Sequence, residues 1–345
     1  MAGTDEPIIS VCIPTYNSAR FLDDSIGSVI GQLDKENMGC VEICVSDNAS
    51  TDNTKEVVRR WRGKAPVRIL YKCNKRNLGA DRNFINAVGM AKGRFCWLLG
   101  SDDIIKKGGI NYALSIIRKN LSADIFVLSR HCYDISLKKI IPDSDPLKKR
   151  FNRNVLFKDP YDAVRNTASS VSFISILLFN RKRWNDVRDY EDMLGTLYIH
   201  IYKMLAMMKK GARVMYVRKE IVGWRSANDY YLRKLKYFGR LRMDVVGYSR
   251  IAAKAFGKNS REYRSIMNDF MGVHLKSHTI AGIKLTRNEK LRKGIFKLYF
   301  RYLGEFPKFW VTIFPFMLVP TSVYDLMSKI AYKEKYARFR KNVSG

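Results

Sequence analysis

At 345 residues, with 46% hydrophobic content and five tryptophans, the chain can fill a packed core and is too apolar for an intrinsically disordered protein. Its formal charge is +31, from 63 Lys and Arg against 32 Asp and Glu. The excess is uneven: residues 1–125 hold 18 basic and 14 acidic side chains, net +4, which leaves 45 and 18, net +27, for the rest. Such an excess implies an anionic partner, either nucleic acid or an anionic membrane surface.

Six cysteines, Cys12, Cys40, Cys44, Cys73, Cys96 and Cys132, lie mostly in or beside apolar runs, with no CxxC and no zinc-site spacing. They are expected to be reduced, mostly buried thiols of a cytosolic protein. Met1–Glu6 is polar and acidic, so no signal peptide is expected.

In chain order, Ile8–Ile13 is a short apolar run closed by Pro14, which predicts a buried strand. Thr15-Tyr16-Asn17-Ser18 follows as a turn, with Ser18 placed to cap a helix over Ala19–Gln32. Val41–Val45 drives into the turn-forming, acidic run Asp47–Asp52 and then into the helical pattern Thr54–Trp61. That is a strand delivering a carboxylate to the carboxyl edge of a sheet. Val67–Tyr71 predicts a third strand, after which Asn77-Leu78-Gly79 turns into a helix carrying Arg82 and Asn83. Arg94–Leu99 predicts a fourth strand, stopped by Gly100-Ser101-Asp102-Asp103, and Gly109–Lys119 and Asp124–Leu128 continue the alternation. The class is therefore α/β, a mainly parallel sheet with helices on both faces. Residues 134–168 lose the pattern and read as a long excursion or lid; Val171–Phe179 then predicts a strand, Leu194–Lys210 a helix and Arg213–Val217 another strand.

From about Asn228 only helices are predicted, over Asn228–Phe256, Arg261–Thr279 and Asn288–Tyr302, each mixing apolar positions with basic ones. The stretch from Phe309 through Tyr324 is uncharged, yet it is Pro-broken and shorter than the about 20 apolar residues of a membrane span. Aromatic residues beside a dense basic field predict an interfacial anchor on an anionic leaflet, over about 305–330. The expected division is residues 1–225 and a basic helical region, 226–345.

In open α/β sheets ligands bind where strands end and helices begin. Asp47 and Asp102-Asp103 are acidic strand ends from neighbouring units of one sheet and should converge on one edge. A pair such as Asp102-Asp103 on a tight turn offers hard oxygen ligands to a divalent ion that bridges a diphosphate. There is no GxxxxGK[ST] loop and no GxGxxG, so kinase, ATPase and dinucleotide readings lose ground. A lone strand-end Asp is as readily a helix cap or turn former, but three such carboxylates argue for a site.

Cys12-Ile13-Pro14-Thr15-Tyr16-Asn17, Ser46-Asp47-Asn48-Ala49-Ser50-Thr51-Asp52, Asn77 to Asn83 and Gly100-Ser101-Asp102-Asp103 resemble, in order and spacing, the family 2 glycosyltransferases of the GT-A fold. Within them the likeness is to the bacterial O-antigen branch that includes abequosyltransferases, and it covers residues 7–225 but not the helical tail. The resemblance implies a Rossmann-like fold and places Pro14, Thr15, Tyr16 and Asn17 along the nucleotide base and ribose, with Asp47 accepting from the base. It implies that Arg82 reaches the diphosphate or braces the metal carboxylates. Asp102 and Asp103 would hold Mg2+ or Mn2+, with Asp103 as the main metal ligand and Asp102 as a ribose or sugar contact.

The general base departs from the family pattern, which usually has a Glu-Asp pair at a helix start a few turns before a Gly and a strand. Counting back from Gly211 lands on His200, whose imidazole can deprotonate a hydroxyl near neutral pH. Glu191-Asp192 lies earlier in the chain, and Asp192 is the alternative base.

The expected partners are a nucleotide-sugar donor, a lipid-linked glycan acceptor on a polyprenyl diphosphate, and an anionic membrane surface on the inner face of the cytoplasmic membrane. A nucleic-acid-binding or non-catalytic binding protein is the competing class; it rests on charge, lacks a recognisable motif and leaves the carboxylates unexplained. Met204, Met207 and Met208 are expected to pack a helix.

Overall fold

The computed structural model describes residues 6–142, 145–226, 228, 230–275 and 289–318. Contacts divide the chain into two compact units, 1–228 and 229–345. Within the first unit the strands, in chain order, are β1 (Ile9–Thr15), β2 (Val41–Asp47), β3 (Ile69–Cys73), β4 (Phe95–Leu98), β5 (Ile104–Ile105), β6 (Ile125–Tyr133), β7 (Ile140–Ile141), β8 (Val155–Phe157), β9 (Leu177–Asn180) and β10 (Val214–Arg225). They form one sheet of order β3-β2-β1-β4-β9-β6-β10-β5, with β7 paired to β6 and β8 to β10. The helices are α1 (Ala19–Ile30), α2 (Thr54–Arg62), α3 (Ala80–Gly89), α4 (Gly109–Lys119), α5 (Pro146–Arg150), α6 (Pro160–Thr167), α7 (Arg181–Asn185) and α8 (Ile199–Lys209).

β3, β2, β1 and β4 pair with one another in parallel, and so do β6 and β10. β9 runs antiparallel between β4 and β6 and makes the sheet mixed. All seven residues of β1 and all seven of β2 are buried, so both sheet faces are covered there. This is the α/β class that the alternating apolar runs predict. Aromatic packing fills the centre: Phe179 stacks on Trp184 at 4.6 Å and Phe95 meets Phe126 edge-on at 5.7 Å. Met204, Met207 and Met208 are buried as expected, and four of the six cysteines are buried thiols.

Two predicted elements begin later than their sequence suggests. Val171–Phe179 is not one strand: two short 3-10 turns, Ser170–Ser172 and Ile174–Ile176, precede β9. The Ser172 hydroxyl donates to the Ser169 carbonyl at 2.9 Å, a local bond that competes with a strand ladder. The predicted helix over Leu194–Lys210 starts only at Ile199, after Gly195 and Leu197 take positive φ values of 84° and 65°. The 134–168 excursion is built from β7, α5, β8 and α6, and Asp145 and Asp159 cap its two helices, each followed by a proline at the first helical position.

The second unit is helical over its described residues. A helix over Tyr230–Phe256 is broken at Lys236. Arg261–Phe270 buries Tyr263, Ile266, Met267 and Phe270, and Phe270 stacks on Tyr248 at 4.4 Å. Glu289–Leu303 buries Ile295, Leu298, Tyr299 and Leu303, and two short helices, Pro307–Thr312 and Phe314–Leu318, follow it. Among the described residues no helix is long and apolar enough to cross a membrane. Of the predicted anchor over 305–330, residues 319–330 lie outside the described residues.

Candidate active site

β1 and β2 end side by side, with Thr15 opposite Asp47. Beyond them the chain turns twice. Asn17, at φ 48°, donates its N–H to Ser50 Oγ at 2.8 Å and accepts from the Thr51 N–H at 2.8 Å. Asp52 accepts from Ala19 N–H at 2.9 Å and Thr54 N–H at 3.1 Å, so one carboxylate caps both α1 and α2. Asp47 is 1% exposed; it accepts from Ser50 N–H at 2.9 Å and from the Tyr71 hydroxyl at 2.7 Å. Burial, and then this bond, raise the Tyr71 pKa. Pro14 and Thr15 are buried, Tyr16 is half-buried and Asn17 is exposed, so Tyr16 and Asn17 form the accessible part of this edge.

The turn after β4 carries Asp102 and Asp103 on opposite terms. Asp103 is 2% exposed and accepts from the Ser175 hydroxyl at 2.5 Å and from the Arg225 N–H at 3.0 Å. Asp102 is less buried and accepts from Asn228 Nδ2 at 2.7 Å. Arg225 ties the turn down, donating to the Asp102 carbonyl at 2.8 Å and to Asp24 at 2.7 Å. Burial pushes both carboxyl groups up, and the Asp102 charge pushes Asp103 further, well above the usual carboxylate range.

The donor set over Gly100 suits a hard cation. A Cβ built on Gly100 would lie 2.8 Å from Asp103 Oδ2, 3.1 Å from Asp102 Oδ1 and 3.2 Å from Ser175 Oγ, so three oxygens converge where a glycine leaves room. Among the described residues no three His, Cys, Asp or Glu side chains are placed to hold a metal by themselves. Two carboxylates fit Mg2+ or Mn2+ of the kind whose shell is completed by substrate phosphates.

The start of α3 reaches across to a third segment. Asp81, 3% exposed, accepts from the backbone N–H groups of Gly195 at 2.7 Å, Leu197 at 2.9 Å and Ile199 at 3.1 Å. Arg82 donates through both terminal nitrogens to the two oxygens of Glu191, at 3.1 Å for one pair. Asp192 follows, exposed, in a short 3-10 turn, Glu191–Met193. The loop over 194–198 absorbs the residues that make Glu191-Asp192 look too early in the sequence, and Glu191 lands against Arg82.

His200 lies elsewhere in character. It is 2% exposed, its Nε2 bonds the Ser172 carbonyl at 2.9 Å, and its ring meets Phe84 edge-on at 5.4 Å. Its Nδ1 is buried without a hydrogen-bond partner. Burial pushes its pKa down to about 4. The imidazole is therefore neutral and enclosed, an environment that fits packing and not proton abstraction from an acceptor.

The sequence pattern singles out Asp47, Asp102, Asp103, Arg82 and the Glu191-Asp192 pair, and misses four residues that hold them. Asp81 lies inside the Asn77–Asn83 motif, but its clamp on Gly195 to Ile199 is invisible without the fold. Ser175, Arg225 and Asn228 carry no local signal at all.

Residues 10–181 match the family model for glycosyl transferase family 2. The chain is 32% identical over 271 residues to the abequosyltransferase RfbV of Salmonella typhimurium, covering 76% of this chain and 79% of that protein. It is 29% identical over 204 residues to the GalNAc(5)-diNAcBac-PP-undecaprenol beta-1,3-glucosyltransferase of Campylobacter jejuni, covering 57% of this chain and 60% of that one. In three dimensions it is similar to S. aureus TarS 1–349, with a TM-score of 0.61 at 16% identity over 97% of this chain and 90% of that one. It is also similar to the mannosyltransferase PcManGT of Pyrobaculum calidifontis in complex with GDP-Man and Mn2+, with a TM-score of 0.57 at 16% identity over 98% of this chain and 84% of that one. The fold is GT-A-like, and the chain belongs to glycosyl transferase family 2. It is a glycosyltransferase.

Proposed function

We propose that this protein transfers a sugar from a nucleotide-diphosphate donor to a hydroxyl of a lipid-linked saccharide during assembly of a cell-surface glycan of the O-antigen type. The observation that carries the reading is the Arg82–Glu191 pair, which joins the α3 start at the nucleotide edge to the turn bearing Asp192. Likeness to RfbV, and to an enzyme whose name includes an undecaprenol-linked acceptor, supports the acceptor class.

Tyr16 and Asn17 line the base and ribose, over the floor that Pro14, Thr15 and Asp47 form. Each Asp47 oxygen already takes one donor and keeps a second lone pair for a base N–H. The geometry favours dividing the acidic pair differently from the family expectation: Asp102, the less buried, meets the metal and donor, while Asp103 braces it from behind. A divalent ion, when bound, would be held by Asp102 with Asp103 fixing the turn behind it, and would supply positive charge against the departing diphosphate. Arg82 adds a second positive charge near the leaving group, where negative charge grows in the transition state.

Asp192 is the base. Its carboxylate takes the proton of the acceptor hydroxyl as that oxygen bonds to the anomeric carbon and the bond from that carbon to the diphosphate breaks. Such transfer of one proton to a positioned carboxylate is general-base catalysis.

The second unit is proposed to seat the protein on an anionic membrane surface at the inner face of the cytoplasmic membrane, where a lipid-linked acceptor is embedded. Phe300, Trp310, Val311 and Leu318 are 43%, 44%, 73% and 62% exposed. Beside them Lys293, Lys297 and Arg301, all exposed, recur every four residues along one helix and so share a face. Apolar and aromatic side chains flanked by cations fit an interface with anionic headgroups. Thermal shift against a panel of nucleotide sugars with Mn2+ tests the donor half of the proposal, because a ligand of the native state stabilises it by mass action. Stabilisation by one nucleotide class is expected; indifference to the whole panel would sink it.

A further inference from the structure

Helix α8 carries a lysine on its buried side. Lys203 is 2% exposed and takes no part in the chemistry above. Its ammonium donates to the Trp184 carbonyl at 3.3 Å and to the Val187 carbonyl at 2.5 Å. It also lies 4.0 Å from the ring centroid of Tyr190 and 5.3 Å from that of Trp184. A buried ammonium is costly unless its donors are satisfied, and here both hydrogen bonds and both ring contacts go to the 184–190 segment. That segment leads directly into Glu191-Asp192.

The same helix holds this loop at two further points. The Tyr202 hydroxyl donates to the Asp189 carbonyl at 2.5 Å, and Lys210, just past the end of α8, donates to the Asp186 carbonyl at 2.9 Å. From the other side, Asp81 fixes the turn into α8 and Arg82 grips Glu191. The loop is thus suspended between α8, which takes the carbonyls of Trp184, Asp186, Val187 and Asp189, and α3, which takes the Glu191 carboxylate.

We propose that Lys203 is a positioning residue for sugar transfer: by holding the 184–190 loop onto α8 it sets the place of the Glu191-Asp192 turn against Arg82. The proposal rests on Asp192 as the base. Lys203 touches no reacting atom and acts through two carbonyls and the Tyr190 ring. Without the ammonium, both buried carbonyls lose a donor and the ring loses its cation, so the loop shifts. A shift of about 1 Å in a positioned group costs on the order of a hundredfold in rate. Burial first, and then the Lys210 charge, lower the Lys203 pKa to about 8 against the opposing charge of Glu191, so the loop encloses a group that the surroundings tolerate only because it is bonded.

The test compares wild type with Lys203→Met, which keeps the length and removes the donors, and Lys203→Arg, which restores donors. For Lys203→Met we expect kcat to fall roughly ten- to a hundredfold with donor KM little changed. Amide hydrogen exchange over 184–193 is expected to accelerate while β1 and β2 keep their protection, and Lys203→Arg to recover part of kcat. Exchange over 184–193 identical to wild type, or an unchanged kcat, overturns the assignment. If Lys203→Met does not fold, Tyr202→Phe removes a single bond to the same loop: faster exchange and lower kcat support the proposal, and no change in either overturns it. Asp192→Asn in the same assay separates the two ideas. Retained transfer there removes Asp192 as base, whereas the exchange result decides the Lys203 grip by itself.

Discussion

Arg82 and Glu191 form a two-pronged ion pair across 109 residues of sequence, and neither side chain is buried, at 40% and 61% exposure. Bidentate guanidinium–carboxylate geometry fixes orientation as well as distance. Its consequence is positional. It joins the first turn of α3 to the turn that bears Asp192.

That exposure sets the expected outcome of Arg82→Ala. An exposed pair contributes about 0–1 kcal/mol to stability, so the melting temperature should move little. Transfer should fall on the order of a hundredfold, since both the charge near the diphosphate and the placement of Asp192 are lost. Steady-state kinetics with thermal denaturation checks this, and a variant that loses stability and rate in proportion would make Arg82 merely structural.

Asp102 and Asp103 should separate in substitution. In wild type, Mn2+ and a nucleoside diphosphate together should raise the melting temperature more than the sum of each alone; in Asp102→Asn that synergy should vanish. Asp103 behaves oppositely. Burial raises its folded pKa above the unfolded value of about 3.9, so its share of stability is present below that pH and lost as pH rises through the folded pKa. Asp103→Asn should therefore gain on wild type as pH climbs from about 4 toward neutrality. Its amide can accept from the Arg225 N–H and donate to Ser175. A pH series of melting temperatures measures the gap, and a constant gap contradicts the assignment.

His200 gives a sign of its own. Its folded pKa of about 4 lies below the unfolded value of about 6.5, so the unfolded chain binds more protons between the two. The associated stability is present above about 6.5 and lost as pH falls toward 4. His200→Gln should flatten that part of the stability curve and leave the shape of the kcat profile unchanged. Loss of an acidic kcat limb in that variant would restore His200 as the base.

The surface of the second unit predicts vesicle behaviour. Phe300→Ser with Trp310→Ser should weaken sedimentation with anionic vesicles and leave donor hydrolysis intact, and added salt should weaken it further, as screening requires. Equal binding to neutral and anionic vesicles would remove the role of Lys293, Lys297 and Arg301.

The strands that end at Thr15 and Asp47 were legible because a buried parallel strand is a short apolar run stopped by turn formers, and that signal is local, although β1 runs through Pro14 and not up to it. Asp102-Asp103 was legible for the same reason. What the sequence hides is long-range. Nothing near Asp81 announces that it accepts three N–H groups from Gly195 to Ile199, and without that clamp the 194–198 loop reads as the start of a helix. Counting residues along that supposed helix leads to His200, which the fold buries, whereas the loop leaves Asp192 exposed. Ser175 sits in a segment apolar enough to pass for strand, and its bonds to Asp103 and Gly100 add to the local Ser172–Ser169 bond in delaying the ladder until after it.

The most direct measurement is transfer of labelled sugar from a nucleotide-sugar panel onto isolated lipid-linked saccharide, run with wild type and Asp192→Asn beside a thermal-shift assay of nucleotide binding. The proposed mechanism predicts product from wild type with one donor class, little or none from Asp192→Asn, and equal nucleotide-induced stabilisation of both. Equal product from the two proteins, or no product from wild type with any donor, would contradict it.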